Sequence, residues 1–341
     1  MKKQTIIIIL ILALLFSFVS CSLLPSDSSP VSSSFFAMDT IMDLKIYSGS
    51  DKLTGEIEAM VRELENKYST TNESGYIYNI NNEGFSDTDA EANEIFKRAF
   101  ELCEMTDGAL DISILPLVEE WGFTSKEYKV PSKDRITDIL KNVDFRRITI
   151  TEKGVSVEAG MKIDLGSVLK GYTSSKIIDF LHSKGIKSAI INLGGNVHAL
   201  GRKPDGSLWN VGIKDPFSED TFGILKCENK AIITSGGYER YFEEDGKTYW
   251  HILDPSTGTP ADSGLVSVTV IGADGMLCDG LSTAFFVMGL DKAISLWKNL
   301  SDIDLVLVDK DKNIYVTEGI KDLFSLSGNY SFGKFEVITR D

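Results

Sequence analysis

The sequence predicts an α+β fold, with a mixed, largely antiparallel sheet and packed helices. Apolar residues recur at helical spacing in several segments, which indicates amphipathic helices. Other segments alternate apolar and polar residues and meet at Gly- and Asp-rich turns, which indicates β-hairpins. Because hairpins outnumber strand–helix–strand units, an antiparallel sheet is favoured over a parallel one.

The predicted elements follow one another along the chain. A strand at 41–47 precedes helices at 51–68 and 90–105, the second stopped by Gly108. A hairpin at 147–159, a helix at 167–184 and a strand at 187–192 come next. The remaining predictions are strands at 209–214, 225–234, 240–253 and 265–272, helices at 277–288 and 290–300, a hairpin at 303–317, and strands near 323–327 and 335–339.

The charge balance restricts the class of ligand. The 341 residues include 35 Lys and Arg against 50 Asp and Glu, a formal net charge of −15. Nonspecific nucleic-acid binding needs basic surface, so no nucleic-acid partner is expected. An anionic ligand would need a local positive counter-charge from a cation, a helix N-terminus or a metal.

The N-terminal segment predicts a lipoprotein. The basic start Met1-Lys2-Lys3 precedes an uncharged apolar run over 6–19, which is short for a membrane span and typical of a signal peptide. The run ends in a small residue before Cys21, as in a bacterial lipoprotein cleavage box. Residues 1–20 are therefore predicted to be a signal peptide, with Cys21 lipidated and the protein anchored in the cell membrane on its extracytoplasmic face. An ordinary signal peptide or an uncleaved anchor is the alternative.

A tether and one folded domain are predicted after the anchor. Residues 21–34 are rich in Ser and Pro, which cannot build a core and indicate a flexible tether before a domain at 35–341. Cys103, Cys227 and Cys278 lie far apart without a CxxC pair, so they are expected to be small buried residues rather than zinc ligands or a disulfide framework.

Five Gly- and Asp-rich segments contain the candidate chemistry. The first, over 108–113, follows a helix, and the second, over 162–171, brings Asp164, a glycine and then a helix start with Lys170. Helix N-terminal amides and a nearby lysine suit a phosphate group, although a capped helix with a solvated Lys170 explains the pattern equally well. The third, over 190–197, is a strand end with a glycine pair.

The fourth and fifth segments add a histidine and a pair of oxygen ligands. The fourth, over 235–260, contains His251 just before an Asp-Pro turn, where a structural histidine is the alternative. In the fifth, Asp279 and Thr283 are four residues apart and share one face of a helix. A carboxylate and a hydroxyl are hard oxygen ligands that suit Mg²⁺, and a capping Asp with a helix-interior Thr is the alternative.

Taken together and in order, these segments resemble the ApbE family of FAD:protein FMN transferases, which are often bacterial lipoproteins. The resemblance spans residues 35–300 and implies a T-fold-like α+β domain. It implies Mg²⁺-dependent cleavage of FAD, with FMN passing to a Thr or Ser hydroxyl of an acceptor flavoprotein subunit or FMN-binding domain and AMP leaving. The segments that carry it are MDT, GALDISILPLVEEWGF, KIDLGSVLKGY, INLGGNV, SGGYER, HILDPSTGTP and CDGLSTAFFVMG.

The resemblance also implies site residues. Its flavin-binding pattern falls on Met38, Thr71, Ala109, Leu110, Asp111, Asp164, Lys170 and Ile252. Its metal-binding pattern falls on Asp279, Ser282, Thr283 and, through a main-chain oxygen, Ser167. Three departures stand out: Ser282 replaces an Asp of some members, Thr71 stands where many members carry an aromatic residue, and MDT replaces the commoner Met-Gly-Thr.

His251 is the candidate general base for the acceptor hydroxyl, because an unperturbed histidine titrates near neutral pH. Stacking on the cofactor or hydrogen bonding to it is the competing role. Three other functions remain open beside FMN transfer: a FAD pyrophosphatase that uses the same site, a non-catalytic flavin-binding lipoprotein, and a structural surface lipoprotein that binds no flavin.

Overall fold

A computed structural model describes residues 29–328 and 331–341. The predicted signal peptide, Cys21 and most of the predicted tether therefore lie outside the described residues. Within the described ranges the helices are α1 (Asp51–Tyr68), α2 (Tyr76–Glu83), α3 (Ala90–Met105), α4 (Leu115–Glu120), α5 (Lys133–Leu140), α6 (Leu169–Ser183), α7 (Gly275–Met288) and α8 (Leu290–Trp297).

The strands of the same ranges are mostly short. They are β1 (Val31–Ala37), β2 (Thr40–Ile46), β3 (Phe85–Asp87), β4 (Thr149–Ile150), β5 (Gly154–Ser156), β6 (Ala189–Leu193), β7 (Asn196–Leu200), β8 (Trp209–Lys214), β9 (Thr221–Cys227), β10 (Lys230–Gly236), β11 (Tyr241–Glu244), β12 (Lys247–Trp250), β13 (Leu253–Asp254), β14 (Thr259–Pro260), β15 (Leu265–Gly272), β16 (Asp304–Asp309), β17 (Ile314–Thr317), β18 (Phe324–Leu326) and β19 (Phe335–Ile338).

A nine-stranded sheet forms the centre of the fold. Its order is β1-β2-β6-β7-β10-β15-β16-β17-β19, and every neighbouring pair is antiparallel except β17 with β19. A second sheet of three strands has the order β18-β9-β8. The predicted α+β class with a largely antiparallel sheet is confirmed.

The large sheet is buried on both faces. On one face α7 packs against β10 and β15, and their apolar residues share a core with α8 that includes Val268, Leu281 and Trp297. On the other face the three-stranded sheet packs through a core that includes Val211 and Ile232. The protein is therefore layered as small sheet, large sheet and helices.

Two helices match their predicted bounds because each has both an apolar stripe and a side-chain cap. The Ser50 hydroxyl accepts a hydrogen bond from the Leu53 N–H at the start of α1, 3.3 Å long. The Asp89 carboxylate accepts one from the Ala92 N–H at the start of α3, 2.7 Å long. Caps of this kind satisfy N–H groups that the helix itself leaves unpaired.

Several predicted boundaries are wrong. Strand β1 begins at Val31, inside the predicted tether, because the Ser-rich stretch pairs along its length with β2. The strand predicted at 225–234 is two strands, β9 and β10, separated by a turn at Asn229 with a φ of 50°. The helix predicted from residue 167 begins at Leu169, which leaves 166–168 as a turn. Helices α2, α4 and α5 and strands β1, β3, β7 and β14 were not expected.

Two tight turns lie side by side at one end of the large sheet. Met38 and Asp39 join β1 to β2, and Gly194 and Gly195 join β6 to β7, with positive φ angles at all four residues. A Cβ on Gly194 would stand 2.2 Å from the Thr40 hydroxyl oxygen, so only glycine allows the turns to approach this closely. By the antiparallel register, β10 ends and β15 begins at the same end of the sheet.

The three cysteines of the described part are buried and unpaired, as the sequence predicts: Cys103, Cys227 and Cys278. In the same part of the chain, no helix combines the length and the apolar character needed to cross a membrane.

Candidate functional site

The start of α6 and the middle of α7 meet through one carboxylate. The Gly171 N–H donates a 2.8 Å hydrogen bond to Asp279 Oδ2, and the Asn196 side-chain amide donates a 3.0 Å bond to Oδ1. The residue that precedes α6, Val168, makes no side-chain cap of its own. Asp279 therefore caps α6 from a different helix, where the positive end of the α6 dipole favours a negative charge.

Asp279 is buried without a full counter-charge from the protein. The residue is only 5% exposed. Burial raises the pKa of Asp279, and the Lys170 ammonium, the Gly171 N–H and the Asn196 amide offset part of that rise. A cation that added positive charge here would favour the ionised carboxylate.

Three hydroxyl groups form a cluster on α7 and the end of β10, close to Asp279 in sequence or in space. The Ser282 hydroxyl donates a 2.8 Å bond to the Asp279 carbonyl, so the serine is tied to its own helix. Ser235, at the end of β10, lies with its Oγ 2.8 Å from Ser282 Oγ and 3.3 Å from Thr283 Oγ1. Ser282 is fully buried, whereas Thr283 is partly exposed. Of the two predicted hydroxyl ligands, Thr283 is the one open to an incoming ligand.

The set of donors fits a hard cation such as Mg²⁺. Among the described residues no group of three or more His, Cys, Asp and Glu is placed to hold a metal. A site here would therefore depend on one carboxylate, Asp279, together with neutral oxygens. Ser167 lies in the turn before α6, and no hydrogen bond within the described part uses its carbonyl oxygen. Mg²⁺ prefers oxygen ligands and keeps several waters, which suits so sparse a set.

Lys170 is the positive centre of the site. Its charge lowers the pKa of three carboxyl groups, those of Asp164, Glu239 and Asp279, and of the His251 ring. For the three carboxyl groups this effect works against burial, which raises their pKa values. The second, fourth and fifth sequence segments therefore converge on one ammonium group. Glu239, in the SGGYER segment, belongs to this group of residues around Lys170 but was not predicted from the sequence.

Asp164 is positioned by contacts from two other segments. The Asn81 side chain accepts a 2.7 Å bond from the Ile163 N–H and donates a 2.9 Å bond to the Ile163 carbonyl. The Asp164 N–H donates a 2.8 Å bond to the Ile112 carbonyl, which places the first segment beside the second. Asn81 was also missed, because its role depends on a partner 82 residues away.

The first segment has a mainly structural part in this arrangement. Asp111 Oδ1 accepts bonds from the Ser113 N–H and hydroxyl, and Oδ2 accepts one from the Phe145 N–H. Burial is the largest effect on this carboxyl group and raises its pKa. Leu110 is buried in the core, with Ala109 packed partly exposed against it. The Asp111 carboxylate thus holds its own loop in place.

His251 lies at the base of the hairpin formed by β11 and β12. Its main-chain N–H and its Nδ1 both face the Arg240 carbonyl, at 3.0 and 3.1 Å. A carbonyl can only accept, so Nδ1 carries the proton and Nε2 keeps its lone pair in the neutral ring. Burial lowers the pKa of His251 to about 4, and the positive charges of Arg240 and Lys170 act in the same direction. His251 is therefore a neutral proton acceptor at physiological pH.

Met38 and Ile252 both lie in packed positions. The Met38 N–H donates a 2.6 Å bond to Glu65, and its side chain packs against two core clusters. Its neighbour Asp39 forms an ion pair with Arg240 at 3.3 Å, which links the MDT turn to the SGGYER segment. Ile252 is 5% exposed and lies in the core beneath α7.

Thr71 lies apart from the other predicted residues. It is exposed in the turn after α1, and its N–H and hydroxyl bond to the Ser69 hydroxyl at 3.1 and 3.0 Å. Within the described chain no recorded hydrogen bond joins Thr71 to another predicted site residue.

Known proteins resemble this chain over most of its length. The ApbE family model matches residues 38–307. A FAD:protein FMN transferase of Klebsiella pneumoniae (strain 342) is 32% identical over 300 residues, which cover 86% of this chain and 93% of that protein. Another, from Treponema pallidum (strain Nichols), is 33% identical over 247 residues, 67% of this chain and 68% of that one.

A solved structure agrees with these sequence matches. The crystal structure of the ApbE protein of Thermotoga maritima has a TM-score of 0.80 and 33% identity to this chain, and it covers 86% of this chain and 99% of its own. The MDT, INLGGNV and SGGYER segments also lie at one end of the central sheet. On this evidence the chain belongs to the ApbE family.

Proposed function

We propose that this protein transfers the FMN half of FAD to a Thr or Ser hydroxyl of an acceptor protein, with Mg²⁺ bound and AMP released. The observation that carries the proposal is the meeting of Asp279, the α6 N-terminus and Lys170 at one point. That point combines oxygen ligands for a metal with positive charge for a pyrophosphate. The relatives named FAD:protein FMN transferase support the choice of FAD and of a protein acceptor.

The metal would be held by oxygen atoms of α7 and of the turn that precedes α6. Asp279 and Thr283 would supply the carboxylate and the hydroxyl, and Ser167 would supply its carbonyl. Bound Mg²⁺ would neutralise the pyrophosphate charge and stabilise the departing phosphate oxygen. Ser282 is the weakest of the four predicted ligands, because its hydroxyl is fully buried and engaged on both sides.

The chain's own residues would position FAD and move one proton. Lys170 and the positive end of the α6 dipole would attract the pyrophosphate oxygens. Asp164, Met38, Ala109, Leu110 and Ile252 would border the space for the remainder of FAD, and Thr71 would border it only from the rim. His251 Nε2 would accept the proton of the acceptor hydroxyl, whose oxygen then bonds to the FMN phosphorus. The phosphorus–oxygen bond to AMP breaks, and AMP leaves with the bonding electron pair.

We also propose that the protein acts on the extracytoplasmic face of the cell membrane, anchored by lipid on Cys21. The support is the sequence of residues 1–21 alone. The acceptor would be a flavoprotein subunit or an FMN-binding domain on the same side of the membrane. Detergent phase partition tests the anchor: the wild type should enter the detergent phase and Cys21→Ser should remain aqueous. Equal partition of the two would overturn the lipid anchor.

One assay tests the proposed reaction. The protein is incubated with FAD, with and without Mg²⁺ and an acceptor domain, while AMP, free FMN and protein-bound flavin fluorescence are followed. Transfer predicts AMP and bound flavin in equal amounts, only with Mg²⁺. Release of AMP and free FMN without bound flavin would identify a FAD pyrophosphatase. Binding of FAD without turnover would identify a flavin-binding protein.

A further inference from the structure

Ser235 contacts the proposed metal site without being one of its ligands. Its position follows from the alternation of β10, in which Ala231 and Ile233 face α7 and share a core with it. Successive side chains of a strand point to opposite faces, so Ser235 continues the α7-facing row and Thr234 points to the other face. There the Thr234 hydroxyl lies 2.9 Å from that of Thr269. The neighbouring hydroxyls of Thr234 and Ser235 thus make separate contacts on opposite faces of β10.

We propose that Ser235 orients the Thr283 hydroxyl so that its lone pairs face the metal. The proposal rests on the Mg²⁺ site described above and concerns how that site is held in shape. It makes Ser235 a positioning residue, because it acts through Thr283 rather than on the metal or on FAD.

The argument follows the single proton that each hydroxyl carries. Ser282 donates its proton to the Asp279 carbonyl, so toward Ser235 it can only accept. Ser235 therefore donates to Ser282, across 2.8 Å. With its own proton engaged, Ser235 can only accept from Thr283, across 3.3 Å.

The chain of hydrogen bonds has one direction, from Thr283 through Ser235 and Ser282 to a helix carbonyl. Its consequence is that the Thr283 proton points into the protein. Both lone pairs of Thr283 Oγ1 then face the partly open side, where a cation needs them. Without Ser235 the Thr283 proton loses its acceptor and is free to rotate toward the metal, which would repel it. Residues that orient metal ligands in this way commonly change metal affinity by roughly tenfold or more.

Metal binding, measured without turnover, tests the proposal. Mn²⁺ serves as a probe for the Mg²⁺ site, and its binding is titrated by electron paramagnetic resonance for the wild type and three variants. Ser235→Ala should weaken Mn²⁺ binding roughly tenfold. Ser235→Thr keeps a hydroxyl, so its Mn²⁺ affinity should stay within about twofold of the wild-type affinity. A role of Ser235 in packing alone would not explain this rescue by a hydroxyl. Thr234→Ala, on the opposite face of β10, is the matched control and should bind as the wild type does.

The possible failures separate the two proposals. Equal Mn²⁺ affinity of the wild type and Ser235→Ala would overturn the role of Ser235 alone. Absence of Mn²⁺ binding by the wild type would overturn the metal site and this role with it. If Ser235→Ala does not fold, Ser235→Cys takes its place, because a thiol is a weak donor and acceptor of similar size. Wild-type affinity of the Cys variant would likewise contradict the proposal.

Discussion

Gly171 and Asp279 are 108 positions apart in sequence and are joined by a 2.8 Å hydrogen bond from the Gly171 N–H to the Asp279 carboxylate. The bond exists because α6 and α7 approach each other through two glycines. A Cβ on Gly171 would stand 2.2 Å from the Gly275 carbonyl oxygen and 2.6 Å from Asp279 Cβ. Close packing of the two helices and the placement of Asp279 are therefore one structural feature.

Gly171→Ala should separate the helices and weaken both the fold and the site. We expect the free energy of unfolding to fall by about 1–3 kcal/mol, the usual cost of overpacking, together with a loss of FAD turnover. Denaturant unfolding and AMP release measure the two effects. The control is Gly55→Ala at an exposed position of α1, where an added Cβ would meet no atom within 4 Å. That change should leave turnover intact and stabilise the protein by roughly 0.5–1 kcal/mol. Normal turnover in a folded Gly171→Ala variant would contradict this account.

Asp279→Asn should abolish Mg²⁺-dependent turnover while retaining the volume of the side chain. A neutral amide is a poor Mg²⁺ ligand, and its NH₂ group would face either the Gly171 N–H or the Asn196 amide. We expect AMP release to drop by at least about a hundredfold, since a catalytic metal is worth several kcal/mol. Raising the Mg²⁺ concentration should not restore the rate. Full activity of the variant would favour a site elsewhere.

His251 should leave a distinctive mark on the pH dependence of FMN transfer. Burial lowers the pKa of His251 to about 4, so the ring stays neutral and able to accept a proton as the pH falls through 6.5. The transfer rate attributable to this base should therefore hold from pH 8 to about 5 and fall only as the pH approaches 4. His251→Gln should lower the transfer rate by about a hundredfold or more with little change in FAD affinity. A loss of the wild-type rate centred near pH 6.5 would argue against His251 as the base.

His198 should make the protein less stable in mild acid. The ring is 3% exposed, and because Ser174 donates its own proton to the Gly171 carbonyl, His198 Nδ1–H donates to the Ser174 hydroxyl at 3.0 Å. Burial lowers the pKa of His198 from 6.5 to about 4. Between these values the unfolded chain binds a proton that the folded chain does not, so stability falls as the pH drops.

The size and the test of the His198 effect follow from the same two pKa values. The difference between the two pKa values corresponds to roughly 3 kcal/mol of unfolding free energy. This contribution is fully present above pH 6.5 and is lost as the pH falls toward 4. His198→Gln should flatten this part of the stability profile, measured by urea unfolding between pH 4.5 and 7. An unchanged slope in the variant would show that other groups cause the acid sensitivity.

The sequence predicted those parts of the fold that depend on local pattern. Helices α1 and α3 were found to the residue, because each has an apolar stripe and a capping side chain at its start. Helix α2 was missed, since its sequence YIYNINNE is short and rich in Asn and has no capping side chain at its start. The start of β1 was missed because serines that look like a tether are ordered by pairing with β2.

In the candidate site, too, only the pairs that are close in sequence could be predicted. Asp279 and Thr283 could be paired from sequence because they lie on one turn of one helix. Ser235, Asn196 and Asn81 could not, because their partners are 47, 83 and 82 residues away and only the tertiary fold brings them together. Asp111 fits the family motif, yet its carboxylate bonds to Ser113 and Phe145, a use that the motif does not reveal.

The intact mass of an acceptor protein tests the central claim most directly. A flavoprotein acceptor domain is incubated with this protein, FAD and Mg²⁺, and its mass is compared with that from a parallel reaction with the Asp279→Asn variant. The account predicts that one FMN becomes attached, through its phosphate, to a Thr or Ser of the acceptor, and that this happens with the wild type only. An unmodified acceptor in a reaction where FAD has been split into FMN and AMP would contradict FMN transfer and assign the site to hydrolysis.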